Sequence, residues 1–429
     1  MVTSKITSEL INKSYIIGQH KSGLNIYLYP MKGFSSSYAI FGTRYGSVDN
    51  SYIDENKTVV DLPEGIAHFL EHKLFESEDG DAFERYSKTG AYANAYTSFD
   101  RTCYLFSCSN KFYDNLKILL DFVRSPYFTE KTVQKEQGII GQEIKMYDDL
   151  PSWRVMFNML EGMFYNNPVK IDIAGTTESI SKITDKLLYS CYDRFYDLSN
   201  MFLVISGDFD CEEVLDFIDK NLKVNDNSVK TKTVFKEEPD TVVKNHVSEQ
   251  FDVANPMFCI GFKETPGESP ISTGHMVAME ILMKMLFGTA SELYKELLEE
   301  NLINESFSME YFNGRGFALP LLSGESENSA RVLELILKKV QKFKSNGLDE
   351  KLFEAIRREM YGRGLRQFDA AESVCSMFCD AAVLGYDLFS HFDCIKSIKP
   401  EDVMKCLDIF RHENAVLSEL VPKRKLGKQ

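Results

Sequence analysis

The residues of this sequence best suited to catalysis are two histidines and a glutamate in GIAHFLEHKLFES, residues 65–77. His68 and His72 are four residues apart, with Glu71 between them, although the chain has only seven histidines in 429 residues. Side chains four apart on a helix share one face, so both imidazoles can bind one cation, for which zinc is the usual choice. Glu71 flanks that face and can take a proton from a water at the open metal position. The pattern is thus H-x-x-E-H, an inverted HEXXH motif.

The competing interpretation is a helix with two surface histidines and a salt-bridging glutamate. With so few histidines, H-x-x-E-H arises by chance in roughly one such sequence in a hundred. Catalytic zinc needs three protein ligands and one open position. A helix predicted over residues 129–147 offers Glu136 and Glu143, seven residues apart and nearly on one face. Spacing alone does not choose between these two glutamates, and most acidic residues are simply solvated.

Strand-like and helix-like segments alternate around the motif in the first 230 residues. Strands are predicted at SGLNIYLYP, SYAIFGTRYGSVD, GAYANAYTSFDRTCYLFSCS and NMFLVISGDFD. PEGIAHFLEHKLFE predicts a helix with Pro63 near its first turn, and NKFYDNLKILLDFVRSP predicts a helix ended by Pro126. Thr129 can cap the helix that carries the two glutamates.

The second half of the chain repeats this order after a polar segment, residues 224–248, which is predicted to be a linker. We therefore expect two domains, an N-terminal metal-binding domain over 1–230 and a C-terminal homologous domain without a metal over 231–429. The helix GHMVAMEILMKMLFG has Glu280, Met283 and Lys284 where the first has His68, Glu71 and His72. A copy of the helix without the two motif histidines indicates that His68 and His72 serve chemistry and not packing.

Composition narrows the possible functions. The net charge of −15 argues against a nucleic-acid partner, because binding phosphates requires a basic surface. No apolar run approaches the roughly 20 residues that span a bilayer, and the N-terminus has no secretory pattern, so we expect a cytoplasmic protein without a membrane partner. Nine cysteines without paired CxxC motifs fit a reducing compartment. Cys375 and Cys379, at helical spacing, are predicted to be buried free thiols and not a metal site.

The sequence resembles the pitrilysin (insulinase) family of zinc peptidases, which are inverzincins, and within it a bacterial branch. The matching segments are GIAHFLEH, GAYANAYTSFDRTCYLF, EQGIIGQEIKMYDDLP and NNPVKIDIAGTTESI, and the resemblance covers nearly the whole chain. In that family the second glutamate of the downstream pair is the third zinc ligand. The resemblance thus implies zinc ligands His68, His72 and Glu143, with Glu71 as general base and Glu136 as a further catalytic carboxylate next to the ligands.

The resemblance also implies an α+β fold of two homologous α/β domains, each a mixed sheet with helices on one side. Together they would form half of a clam-shell chamber around a peptide. Substrate would add as an extra strand near Asn94, Ala95 and Tyr96, a mode that reads the peptide backbone and tolerates varied side chains. The alternative for this segment is a loop between strands.

The implied function is a zinc endopeptidase of small or unfolded peptides. The alternative is a non-catalytic scaffold subunit, with an association with elongation factor P modification. In active family members the C-terminal domain supplies an Arg and a Tyr that bind the substrate carbonyl. The corresponding stretch here, SELYKELLEENLINESF, has Leu298 and Asn304 at those positions, and Tyr311 and Arg315 follow in reversed order. We therefore expect a homologous subunit that supplies both residues in a heterodimer, with a homodimer as the alternative.

Overall fold

The computed structural model describes residues 1–78, 80–224, 229, 231–265, 267 and 271–423. The described chain packs as two compact units. The first contains residues 1–144, 172–234 and 364–389, and the second contains 145–171, 235–363 and the chain from Ser390 onward. Within the described residues, no helix is both long and apolar enough to span a bilayer.

The strands are β1 (Val2–Ser8), β2 (Lys13–Gln19), β3 (Asn25–Pro30), β4 (Ser37–Thr43), β5 (Ser51–Ile53), β6 (Val59–Asp61), β7 (Glu76–Ser77), β8 (Gly80–Asp81), β9 (Tyr92–Thr97), β10 (Thr102–Cys108), β11 (Met201–Gly207), β12 (Lys232–Thr233), β13 (His246–Phe251), β14 (Met257–Phe262), β15 (Ser308–Gly314), β16 (Phe317–Glu325) and β17 (Ala415–Pro422).

The α-helices are α1 (Ile66–Leu74), α2 (Ala82–Ser87), α3 (Phe112–Val123), α4 (Glu130–Asp148), α5 (Pro151–Met163), α6 (Thr177–Ile180), α7 (Asp185–Phe195), α8 (Cys211–Asn221), α9 (Thr273–Phe287), α10 (Glu292–Glu299), α11 (Ser329–Asn346), α12 (Glu350–Arg366), α13 (Ala371–Leu384), α14 (Ser390–Ser397) and α15 (Pro400–Lys405).

The first unit is built on a seven-stranded sheet in the order β1-β2-β3-β11-β4-β10-β9. Strand β11 pairs parallel with β3 and antiparallel with β4, so the sheet is mixed. β4 and β11 are buried along their whole length, which explains their nearly continuous apolar sequences. Helices α1 and α3 pack on one face, and α13 covers the other, where its Phe378 ring packs on Tyr27 and Tyr29. Strand β9 ends the sheet as an edge.

The second unit is built on a five-stranded sheet in the order β13-β17-β14-β16-β15. Helix α9 lies in the core of this unit, and α5 packs on β14 and β17. A Cβ atom on Gly261 of β14 would lie 2.6 Å from the Met159 sulfur of α5, so a larger residue would force the methionine side chains of α5 to move. Each unit thus includes one helix from the other half of the sequence: α5 in the second unit and α13 in the first.

The predicted fold class, mixed sheets packed with helices, is confirmed, and α13 and α5 add a helix on the second face of each sheet. The predicted helix around the histidines begins at Ile66, and Pro63 lies three residues before it, where its carbonyl oxygen accepts a hydrogen bond from the Ile66 N–H. Gly65 precedes it at φ 85°, where an added Cβ would lie 2.2 Å from the Ala174 carbonyl oxygen. Glycine is needed there for both reasons.

The polar segment 224–248 is only partly a linker. It contains β12, and residues 246–248 already belong to β13; residues 225–228 and 230 lie outside the described residues. The predicted domain boundary at 230/231 separates two homologous halves of the sequence. The division into compact units does not test homology, so this boundary stays a prediction.

Candidate metal centre

Helix α1 presents the two histidines because its other face is apolar. Ile66, Phe69, Leu70 and Leu74 are buried in the core of the first unit. Because these four side chains must face the core, the rotation of the helix about its axis is fixed. His68, Glu71 and His72 therefore lie on the remaining face. His68 is buried, whereas Glu71 and His72 are partly exposed.

Helix α4 supplies the facing carboxylates. Val133, Ile140 and Ile144 anchor it in the core of the first unit, and the same rotation turns Glu136 and Glu143 toward α1. Glu136 is buried and Glu143 is partly exposed. The spacing does not distinguish the two glutamates, but their surroundings in the structure differ, because they meet different atoms.

Glu143 faces both histidines at the same time. Its Oε1 lies 3.6 Å from Nε2 of His68, and its Oε2 lies 3.4 Å from Nε2 of His72. These separations are too long for normal hydrogen bonds. A tetrahedral ion with bonds of about 2.1 Å holds its ligand atoms about 3.4 Å apart. One ligand atom from each of the three side chains lies within 4.8 Å of the others, so small side-chain adjustments would let them hold one zinc ion. They are the only group of three such ligands found among the described residues.

Glu136 contacts the other side of His72. Its Oε1 lies 3.0 Å from Nδ1 of His72 and accepts a hydrogen bond there, which leaves the Nε2 lone pair for a metal. Burial alone would lower the pKa of His72, but the carboxylates of Glu136 and Glu143 outweigh it and raise the pKa to about 10. So much negative charge around one imidazole favours a cation in the site.

His68 is in a different environment. Burial, and secondarily the charge of His72, lower its pKa to about 4, so the ring is neutral at pH 7, as a metal ligand must be. Its Nδ1 is buried without a hydrogen-bond partner among the described residues. The ring of His68 is therefore not turned by a hydrogen bond of Nδ1 to these residues, and its Nε2 can face Glu143.

Glu71 is held by Thr97, a residue that the sequence analysis did not select. The Thr97 hydroxyl donates a hydrogen bond of 2.6 Å to Oε2 of Glu71. The Thr102 hydroxyl oxygen lies 3.3 Å from the Thr97 hydroxyl oxygen and donates a hydrogen bond to the carbonyl oxygen of Tyr45. Burial raises the pKa of Glu71, and the Thr97 hydrogen bond opposes that rise. Strand alternation was the available signal, because it puts Thr97 on the same face as Ala95, toward α1.

The segment with Asn94, Ala95 and Tyr96 is the edge strand β9, so the alternative of a loop is wrong. Exposed and partly buried residues alternate along it. The Ala95 N–H donates a hydrogen bond of 2.9 Å to the side-chain oxygen of Asn94. Tyr96 is 37% exposed, and its hydroxyl reaches the opposite face of the sheet, where α13 lies.

The residues compared with the Arg and Tyr of active family members, and the α9 counterpart of His72, lie in the second unit. Leu298 is exposed on α10, and the Asn304 side chain donates to Glu325 at 2.8 Å. Tyr311 donates to Glu264 at 2.8 Å. The α9 position that matches His72 is Lys284, which pairs with Glu359 at 3.0 Å.

A mixed α/β fold with a two-histidine, one-glutamate centre next to a further glutamate defines a metallopeptidase class. Residues 60–177 match the family model for insulinase, peptidase family M16, and residues 182–360 match the model for the peptidase M16 inactive domain. The chain belongs to the insulinase family, peptidase family M16, also called the pitrilysin family, as its motifs predicted. Zinc is the cofactor of this family.

Similar proteins span the whole chain. The uncharacterized zinc protease YmfH of Bacillus subtilis (strain 168) is 39% identical over 94% of this chain and 95% of its own. The putative M16-like peptidase of Alicyclobacillus acidocaldarius has a crystal structure that matches with a TM-score of 0.91 and 32% identity, over 99% of both chains. Pitrilysin, at 16% identity and a TM-score of 0.78, shares the fold; the match covers 99% of this chain and 47% of pitrilysin.

Proposed function

We propose that this chain is a zinc-dependent endopeptidase of small or unfolded peptides, with His68, His72 and Glu143 as its zinc ligands. The observation that carries the proposal is Glu143, whose two carboxylate oxygens face two imidazole Nε2 atoms at 3.4 and 3.6 Å. Glu71 lies beside them on the same helix face. The non-catalytic scaffold alternative has no use for this arrangement.

Each side chain then has a separate task. When bound, zinc supplies Lewis-acid polarisation of the scissile carbonyl and makes water acidic, toward a pKa of about 7. Glu71 accepts the proton of the attacking water and later delivers it to the leaving amine. Because Thr97 occupies Oε2, the proton is carried on Oε1. Glu136 holds Nδ1–H of His72 and so fixes the tautomer and orientation of that ring.

Substrate binds along β9 as an added strand. The edge of β9 that does not face β10 offers backbone hydrogen bonds to an extended peptide, with Asn94 and Tyr96 flanking it. Backbone pairing tolerates many side chains, which suits unfolded peptides.

The site is completed by a second, homologous subunit in a heterodimer. Leu298 and Asn304 cannot provide the cation and phenol that bind the substrate carbonyl in active relatives, and Tyr311 is bonded to Glu264. A homodimer is the alternative, and a cytoplasmic location and a link to elongation factor P modification stay predictions.

The test is hydrolysis of a fluorogenic peptide mixture by the complex with its homologous subunit. Glu71→Gln keeps the size of the side chain but cannot accept a proton, so turnover should fall by about 10²–10⁴. Glu84→Gln, on the exposed surface of α2, is the matched control and should keep full activity. Near-normal hydrolysis by Glu71→Gln would reject the assigned base, and no hydrolysis by any sample would favour the scaffold.

A further inference from the structure

Two thiols that are far apart in the sequence meet in the first unit. Cys103 of β10 and Cys379 of α13 are both buried, and their sulfur atoms lie 3.5 Å apart. The nine cysteines are all free thiols, and seven of them are buried. This pair is separate from the metal ligands, which are histidines and a glutamate.

The surroundings of Cys379 stabilise a thiolate. The Tyr96 hydroxyl lies 3.5 Å and the Arg101 guanidinium 3.9 Å from its sulfur. The hydrogen bond from Cys103 and the charge of Arg101 lower the pKa of Cys379 against the effect of burial. Burial raises the pKa of Cys103, so this thiol keeps its proton and acts as the donor.

Cys375, one turn earlier on α13, has surroundings different from those of Cys379. Its sulfur contacts the Ser206 hydroxyl at 3.2 Å and the Tyr38 carbonyl oxygen at 3.4 Å, and neither of these two partners is a cation or a thiol. Burial raises its pKa to about 12. A buried cysteine on the same helix therefore provides an internal control for reactivity.

We propose that Cys103 and Cys379 form an oxidisable dithiol site that reacts with hydroperoxides and closes to a reversible intramolecular disulfide. Closure requires the sulfur atoms to approach by roughly 1.5 Å, from 3.5 Å to the disulfide bond length of about 2.05 Å. The pair lies under the edge strand β9, where the partly exposed Tyr96 is the side chain in contact with Cys379. Edge strands open locally at low free-energy cost, which admits a molecule as small as hydrogen peroxide.

The reaction has two steps. The Cys379 thiolate attacks the terminal oxygen of the hydroperoxide and the O–O bond breaks, which leaves a sulfenic acid on Cys379. The departing alkoxide or hydroxide takes a proton from solvent and leaves as an alcohol or water. The Cys103 thiol then attacks the sulfenic sulfur, the S–S bond forms, and the S–O bond breaks. The released hydroxide takes the Cys103 proton and leaves as water. Two electrons pass from the thiols to the hydroperoxide.

Closure would also change the edge strand. A disulfide removes the Cys379 thiolate from the Tyr96 hydroxyl, so the side chain of Tyr96 loses a partner on the far face of the sheet. If β9 binds peptides, oxidation alters KM. This consequence rests on the proposed function, whereas the disulfide itself does not.

The experiment treats the full-length, zinc-loaded protein with hydrogen peroxide, alkylates the remaining thiols and maps cysteines by mass spectrometry. A peptide pair linked through Cys103 and Cys379 should appear, and dithiothreitol should remove it. Cys379 should be oxidised at least ~10-fold faster than Cys375, because the rate follows the thiolate fraction. Cys103 and Cys379 remaining reduced while other cysteines oxidise, or linkage of either to another cysteine, would overturn the proposal.

Variants separate the two steps. Cys103→Ser should stop the reaction at a Cys379 sulfenic acid that dimedone labels, and Cys375→Ala should form the disulfide as wild type does. If Cys103→Ser folds but dimedone does not label Cys379, the mechanism is contradicted. If this variant misfolds, the disulfide mapped by mass spectrometry in the wild-type protein still shows whether Cys103 and Cys379 are the reacting pair. A disulfide that leaves KM unchanged would refute only the coupling to β9, and inactive protein throughout would refute only the proposed function.

Discussion

At the scale of single residues, Thr97 determines which oxygen of Glu71 is free to carry a proton. Its 2.6 Å hydrogen bond to Oε2 orients the carboxylate beside the two histidines. A hydrogen bond to a charged group contributes about 1.5–3 kcal/mol. The base is therefore positioned by a strand and not only by its own helix.

Replacing this hydroxyl tests the positioning role. Thr97→Val keeps the shape of the side chain, and kcat should fall roughly 10- to 100-fold, while KM stays near the wild-type value, because a hydrogen bond to a charged group is lost. Thr102→Val, one hydroxyl further from Glu71, is the control and should have a smaller effect. Steady-state kinetics that show equal kcat values for the two variants would contradict the role of Thr97.

The residues of the site differ in how far the sequence could predict them. His68, Glu71 and His72 are local neighbours, so helical spacing was enough to group them. The choice of Glu143 over Glu136 depended on how α4 is rotated against α1, which spacing does not define and the family resemblance supplied. The contact between Cys103 and Cys379 joins residues 276 positions apart, for which the sequence carries no local signal.

At the scale of elements, Glu238 joins the end of α5 to the end of β14. One carboxylate oxygen lies 2.6 Å from the Lys263 ammonium, and the carboxylate accepts hydrogen bonds from the backbone N–H groups of Tyr165, Asn166 and Asn167. Burial would raise the pKa of Glu238, but these donors outweigh it and hold the pKa below its ordinary value. Burial lowers the pKa of Lys263, so its charge depends on Glu238.

A carboxyl group whose folded pKa is lowered stabilises the protein above its ordinary pKa and loses that effect as the pH falls through the folded pKa. Glu238→Gln should therefore lower the free energy of unfolding at pH 7 by about 3 kcal/mol, because it leaves the buried Lys263 unpaired. The difference from wild type should shrink below about pH 4.5.

Denaturant unfolding at pH 7 and at acid pH measures this difference. Glu178→Gln breaks an exposed pair with Lys182 and should change stability by less than about 1 kcal/mol at either pH. A Glu238→Gln effect that is equal at both pH values would contradict the electrostatic origin.

Alternating apolar residues predicted most strands, because the pattern of each strand reflects its own two faces. The packing of α5 and α13 was not predictable in this way. A helix shows which of its faces is apolar, but not which sheet that face covers. The exchange of one helix between the two sequence halves is a tertiary property.

At the scale of the whole molecule, the proposed enzyme needs two chains. Loss of one preorganised donor for the substrate oxyanion typically costs ~10²–10³ in turnover. The isolated chain should therefore hydrolyse peptides at least about a hundredfold more slowly than its mixture with the homologous subunit. Peptidase assays across a titration of that subunit measure the ratio. Full activity of the isolated chain would contradict the heterodimer and make Tyr311 and Arg315 the next residues to change.

Zinc content measured by elemental analysis tests the central claim most directly. After dialysis, wild type and Glu71→Gln should each retain about one zinc per chain, because Glu71 is not a ligand. His72→Ala should retain almost none, whereas His412→Ala, which removes an exposed histidine, should match wild type. If His72→Ala still holds about one zinc per chain, the metal centre assigned to His68, His72 and Glu143 is wrong.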